Sequence, residues 1–347
     1  MEWKMIEFRK VKETSKLYLD ELKIAGLNFD TESDCSWGIY EFNRFIGSYS
    51  LFKNIIKRIF VKQEFRGQGF MAQLVTHAIK ELVKTGEASY FVFTKLCNEE
   101  IMNSLGFQSL ARTSNALLLE GGTGGIEDYI KGIQKMMKSN VSVKIGSVVV
   151  NCNPMTFGHL HLIKQAYEKV DCLIVFVVEE DRSTFSFESR VGIIKEATAE
   201  FKNLYVVGTG KYIVSSATFP AYFTAQKDIA DTQAELDAVL FVERIAAPLG
   251  INLRMVGEEP YCPVTCKYNE AMKRVFSSHD LDFQIIERKL EGEEAISASL
   301  VRKYLASGEL EKAFLLVPDA TRHFLESPKG LNVIDKLQQN TVDGKRH

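Results

Sequence analysis

The sequence lacks any apolar run long enough to cross a bilayer. Its most apolar stretch, Cys172 to Val178, falls well short of the roughly 20 residues a spanning helix needs, so no membrane partner is expected. No secretory leader is expected either. Glu2, Lys4, Glu7, Arg9 and Lys10 come before any sustained apolar stretch, and a cytoplasmic location is expected. Net charge is nearly absent: 43 Lys and Arg against 45 Asp and Glu leave -2. With no face-long basic run, nothing favours nucleic acid as a partner. Cysteines are few and scattered, at positions 35, 97, 152, 172, 262 and 266. Cys152 and Cys172 lie in or beside strand-like runs, so reduced, mostly buried thiols are expected. The Cys262-Pro-Val-Thr-Cys266 spacing could suit zinc, but no equally clear second pair lies nearby and no metal site is assigned. Internal repeats are missing as well.

What is present is an ordinary globular composition, 46% hydrophobic and 25% charged over 347 residues. That length suits two domains of roughly 100–200 residues. Gly121-Gly122-Thr-Gly124-Gly125 punctuates the chain. The amphipathic stretch Ile126 to Lys138 follows it as a short helix. The expected division is residues 1–120, a glycine hinge and linker helix over 121–143, a second domain over 144–330, and a polar, partly disordered tail over 331–347.

The two halves differ in pattern. In the first, Trp37 to Phe42, Phe45 to Phe52 and Ile55 to Lys62 read as an antiparallel meander, followed by a helix over Phe70 to Lys84 and a strand over Tyr90 to Thr94. This order is α+β. In the second, strands at Ser147 to Cys152, Cys172 to Val178, Leu204 to Val207, Leu253 to Val256 and Phe283 to Ile286 alternate with helices. Those helices are His159 to Lys169, Glu188 to Phe201, Ala234 to Ala246 and Tyr268 to Ser277, with Ser299 to Ser307 after the last strand. Such alternation predicts an α/β doubly wound parallel sheet, with ligands at the carboxyl ends of its strands.

Two motifs in the second half carry chemistry. The first strand runs into Asn151-Cys-Asn153-Pro154-Met-Thr156-Phe-Gly158-His159. Gly158 permits close approach of a nucleotide to the backbone, and the helix starting near His159 presents free amides to phosphate. His159 can donate to a triphosphate as charge moves onto the leaving group. After the last strand comes Ile296-Ser297-Ala298-Ser299-Leu300-Val301-Arg302. Ser297 and Ser299 can cap a helix and offer hydroxyls, and Arg302 supplies a fork for two phosphate oxygens. Read singly, each is also compatible with a plain turn or a plain cap. His161 points off another side of its helix and reads as surface or packing.

The T-x-G-H turn and the later I-S-x-S-x-x-R helix resemble the nucleotidyltransferase superfamily, which cleaves nucleoside triphosphates between the α and β phosphates. The resemblance implies ATP binding by Asn153, Thr156, Gly158, His159, Ser297, Ser299 and Arg302, with Thr156, His159 and Arg302 in the catalytic roles. In the first half, Arg66-Gly67-Gln68-Gly69-Phe70, between a strand and a helix, resembles the coenzyme A loop of GNAT-type acetyltransferases. There, successive amides can face a pyrophosphate. Met71 stands where that pattern has a small residue. Ser-Leu-Gly-Phe107 resembles a late segment of the same fold, but Met102 occupies the position of its usual acidic tyrosine and has no proton to give.

A GNAT-like domain followed by a nucleotidyltransferase domain resembles the citrate lyase ligase family over nearly the whole chain. Val150 to Pro154, Val178 to Asp181, Tyr212 to Pro220, and Val256 to Pro260 with Cys262 add to the likeness. The resemblance implies activation of acetate by ATP, in company with Mg²⁺, with release of AMP and pyrophosphate. The acetyl group then passes to the prosthetic-group thiol on the citrate lyase acyl carrier subunit. Arg66, Gly67, Gln68, Gly69 and Phe70 would hold that coenzyme A-like group. Two other readings stay open: an adenylyltransferase of a pantetheine or nucleotide cofactor, and a non-catalytic binder of the carrier.

Overall fold

The computed structural model describes residues 6–29, 33–137, 144–179, 183–212, 229–258, 263–287, 290–291 and 294–343. The stretches Val178 to Asp181, Tyr212 to Pro220 and Val256 to Pro260 therefore lie partly outside the described residues. The thiols of Cys262 and Cys266 do so entirely. The chain forms two compact units, Met1–Tyr129 with Val214–Arg244, and Ile130–Ile213 with Ile245–His347.

The first unit is an α+β fold. In order it runs β1 (Ile6–Lys10), α1 (Lys16–Ile24), β2 (Cys35–Glu41), β3 (Arg44–Phe52), β4 (Ile55–Val61), α2 (Phe70–Lys84), β5 (Ser89–Thr94), α3 (Glu99–Ser104), β6 (Gln108–Arg112) and β7 (Leu117–Gly122). The strands make one seven-stranded sheet, ordered β1-β2-β3-β4-β5-β7-β6. β1 to β4 form the expected antiparallel meander. The helix read from Phe70 to Lys84 has those bounds in the structure. Phe70, Leu74, Val75, Ala78 and Leu82, at helical spacing, bury one face of it,. Each of these side chains larger than alanine, taken from water, stabilises the fold by about 1.5–3 kcal/mol. β4 and β5 are parallel but pair only at Ile55 with Phe91 and Ile56 with Val92. Beyond that they part, and the gap becomes a cleft.

Two features depart from the sequence reading. Gly121 and Gly122, taken as hinge, close β7. A Cβ on Gly122 would sit 2.1 Å from the Ala88 carbonyl oxygen, so sheet contact, not flexibility, requires glycine there. The helix expected at Ala234 to Ala246 starts earlier, as α7 (Ile229–Leu240), after α4 (Ile126–Met136), and runs on as a π turn over Phe241–Ala246. It does not cover the parallel sheet. It packs on β6 in the first unit, and Arg244 Nη2 donates to the Ser109 carbonyl at 3.0 Å. Periodicity reveals an apolar face but not which sheet that face covers.

The second unit is α/β. It contains β8 (Ile145–Val150), α5 (Phe157–Tyr167), β9 (Cys172–Val177), α6 (Phe187–Ala197), β10 (Leu204–Gly208), α8 (Ala247–Leu249), β11 (Ile251–Gly257), α9 (Pro263–Ser277) and β12 (Asp282–Ile286). The five-stranded sheet, ordered β10-β9-β8-β11-β12, is parallel throughout. All six residues of β9 are buried, as a sheet covered on both faces requires,. Strand order reverses at β8, so the β8–β11 boundary is the switch point where such sheets bind ligands. A short hairpin of β13 (Leu290–Glu291) and β14 (Glu294–Ala295) leads to α10 (Ala298–Ser307), α11 (Leu310–Phe314), α12 (Asp319–Glu326) and α13 (Pro328–Asp343).

The last helix shows that Pro328–Asp343, most of the stretch read as a polar tail, is helical. Ile334 is buried, Val333 and Leu337 pack beside it, and Gln338 Nε2 donates to the Leu305 carbonyl at 3.3 Å. Sparse apolar residues at helical spacing are enough to anchor a largely polar segment. No helix among the described residues is long and apolar enough to cross a membrane.

Candidate active site

β8 ends at Val150, and the chain must turn from a buried strand into α5 within a few residues. Cys152 takes a left-handed φ of +51°, which costs a non-glycine residue roughly 1–2 kcal/mol. Its thiol is buried, and burial pushes its pKa up, so it is a packing group rather than a nucleophile. Asn153 and Pro154 are joined by a cis peptide.

Thr156 then caps α5. Its Oγ1 accepts from the His159 amide at 3.4 Å, and its own amide donates to His159 Nδ1 at 3.1 Å. Oγ1 also stands 2.9 Å from Nδ1. The amide can only donate, so Nδ1 is an acceptor and the neutral ring carries its proton on Nε2. The cap therefore fixes the Nε2-protonated tautomer of the neutral ring,.

Ser297 caps α10 in turn, accepting from the Leu300 amide at 3.1 Å. Gly158 joins the two motifs: a Cβ there would stand 3.1 Å from the Ile296 carbonyl oxygen. Close backbone packing thus favours glycine here, apart from any ligand. A cavity of about 440 Å³ lies at the switch point, lined by Thr156, Gly158 and His159 from one motif and Ser297 and Ser299 from the other. Leu162, Ile286 and Ile296 supply apolar wall, and Glu258 and Glu287 line it from the ends of β11 and β12.

Two predicted residues act behind the wall. Arg302 Nη1 donates to the Asn153 carbonyl and Nη2 donates to Ser299 Oγ at 3.1 Å. Burial lowers its pKa from the usual guanidinium value, yet a guanidinium remains a cation in proteins. Asn153 Oδ1 accepts from the Phe185 amide at 2.9 Å. Neither Arg302 nor Asn153 is among the lining residues.

Sequence reasoning missed Arg190. It is fully buried one turn into α6 and donates to the carbonyls of Phe185 at 3.0 Å, Asn151 at 2.9 Å and Val178 at 2.8 Å. A helical arginine gives no sequence signal of burial. Thr321, also missed, is buried and donates to the Met155 carbonyl at 2.9 Å, securing the turn from α12.

The first unit holds a separate cleft of about 730 Å³ where β4 and β5 part. Arg66, Gly67, Gly69 and Phe70 line it, opposite Thr94, Lys95, Cys97 and Asn98. Gly67 and Gly69 sit at φ +75° and +81°, left-handed values that turn the loop into α2,. Phe70 is mostly buried in the core and Gln68 turns its amide to the Glu64 carbonyl at 3.3 Å, outside the lining. Met102 is wholly buried in the same core, so no acid occupies that position.

Residues 145–325 match the citrate lyase ligase C-terminal domain family, and residues 1–103 match the acetyltransferase (GNAT) family. The [citrate [pro-3S]-lyase] ligase of Escherichia coli is 32% identical over 87% of this chain and 87% of its own length. That of Haemophilus influenzae is 34% identical over 79% of this chain and 83% of its own. The chain belongs to the citrate lyase ligase family. It is accordingly a ligase, built from a GNAT-type domain and a parallel-sheet domain of nucleotidyltransferase type. Over a shorter span the likeness extends to the phosphopantetheine adenylyltransferase of Campylobacter hominis, 36% identical over 19% of this chain and 42% of that one.

Proposed function

We propose that the protein activates acetate with ATP and transfers the acetyl group to the thiol of the prosthetic group on the citrate lyase acyl carrier subunit. The observation that carries this reading is the meeting of Thr156, Gly158, His159, Ser297 and Ser299 in one cavity at the switch point, in a chain that also holds a glycine-turned cleft.

Acetate is ionised at neutral pH and needs no general base. Its oxygen attacks the α-phosphorus of ATP, the bond to the β-phosphate oxygen breaks, and pyrophosphate leaves, giving acetyl adenylate. ATP enters as its Mg²⁺ complex, the ion being part of the substrate. The α5 and α10 amides and the Nε2 proton of His159 stabilise charge on the departing pyrophosphate. Arg302 and Asn153 hold the two motifs at the spacing this requires. In the second step the carrier thiolate attacks the acetyl carbon and AMP leaves. An ordinary thiol has a pKa near 8.5, so this step should quicken as pH rises toward that value.

Incubation with ATP, acetate and deacetylated carrier tests the reading. AMP and acetylated carrier are expected. A dinucleotide product would favour a cofactor adenylyltransferase, and carrier binding without turnover would favour a non-catalytic binder.

A further inference from the structure

We propose that Arg190 is a positioning residue for adenylation: from within the core it sets the turn that orients His159. This rests on the adenylation reading of the cavity at the switch point.

The guanidinium is wholly buried, and Arg190 is not among the residues that line the cavity at the switch point. Its Nη1 donates to the carbonyl and the Oδ1 of Asn151, both at 2.9 Å, and to the Val178 carbonyl at 2.8 Å. Asn151 and Val178 are the residues just past the adjacent strands β8 and β9. Its Nε donates to the Phe185 carbonyl at 3.0 Å. Phe185 in turn donates its amide to Asn153 Oδ1 at 2.9 Å. One side chain thus clamps the chain at Asn151 directly and at Asn153 through Phe185.

Between those points lies Cys152, held at φ +51°. A residue held in that region needs surroundings that over-determine it. Arg302 also reaches Asn153, at its carbonyl, and three residues beyond Asn153 the Thr156 amide meets His159 Nδ1 at 3.1 Å. Loosening the clamp should let the turn relax, lengthen that contact and release the tautomer lock. A planar fork is needed for three carbonyls in different directions; a lysine in its place keeps the charge and loses the geometry.

The test is Arg190→Lys in the full-length protein, read two ways. Nitrogen NMR of the His159 ring, assigned by loss of its signals in a His159→Gln sample, reports the tautomer without any turnover. The wild type should show a protonated Nε2 and an unprotonated Nδ1, and Arg190→Lys a mixture of tautomers. In acetate-dependent exchange of pyrophosphate into ATP, the ATP kcat/KM should fall tenfold or more while the circular dichroism spectrum is kept. Should Arg190→Lys not fold, Asn151→Ala removes one acceptor and leaves the guanidinium in place, and the same two changes are expected at smaller amplitude. A folded variant with an unaltered tautomer and exchange within twofold of wild type would overturn the proposal. A wild type that shows the locked tautomer but no exchange would refute adenylation itself while leaving the clamp intact.

Discussion

Arg302 donates from α10 to the backbone carbonyl of Asn153, 149 positions earlier in the chain. The contact joins the turn after the first strand of the parallel sheet to the helix after its last. Each half of the cavity at the switch point is therefore tied to the other, and the part-buried carbonyl has a charged partner, the kind of hydrogen bond that contributes most,.

Arg302→Lys should weaken ATP use. A lysine cannot reach Asn153 and Ser299 together, and a lost hydrogen bond to a charged group costs about 1.5–3 kcal/mol. The KM for ATP in pyrophosphate exchange should rise by about one to two powers of ten, with acetate dependence changing less. Unaltered ATP affinity and rate would remove Arg302 from the site.

His159→Ala should lower exchange by about two to three powers of ten, the usual loss on removing one donor to a developing charge. Thr156→Val should lower it too, and should also cost about 1 kcal/mol of stability through the lost cap. Near wild-type turnover of folded His159→Ala would exclude the imidazole from the chemistry.

Gly69→Asp should separate the two steps. No atom lies within 4 Å of a Cβ built at Gly69, so the carboxylate has room, but the left-handed backbone adds strain of roughly 1 kcal/mol. In the cleft it would repel a pyrophosphate. Carrier acetylation should fall strongly while acetate-dependent exchange stays within twofold. Equal loss of both would contradict separate sites.

His77 should make the first unit acid-sensitive. Its Nδ1 lies 2.7 Å from the Tyr49 hydroxyl, Phe8 stacks on the ring at 3.9 Å, and Trp37 meets it edge-on at 4.9 Å. Burial lowers its pKa, against the Glu81 carboxylate and with Lys84 and Lys80. The unfolded chain then binds the proton more readily than the folded one. Stability is full above the unfolded value of about 6.5 and falls as pH drops below it. Thermal midpoints measured downward from neutral pH should decline less for His77→Gln than for wild type; parallel curves would show that His77 does not carry the effect.

Much of this was legible along the chain. Alternation of apolar runs with helical stretches determined the parallel sheet, because buried strands and amphipathic helices differ in period. T-x-G-H and I-S-x-S-x-x-R marked the residues of the switch-point cavity, since caps and glycine turns are local. Tertiary structure decided what depends on residues distant in sequence. It placed α7 against β6, ordered α13 through Ile334, and turned Gly158 toward the Ile296 backbone. It also moved Arg302 from the cavity wall to its frame and put Arg190 beneath the turn. A side chain's type is written in the sequence, but the carbonyls it will find are set only when the ends of separate strands are brought side by side.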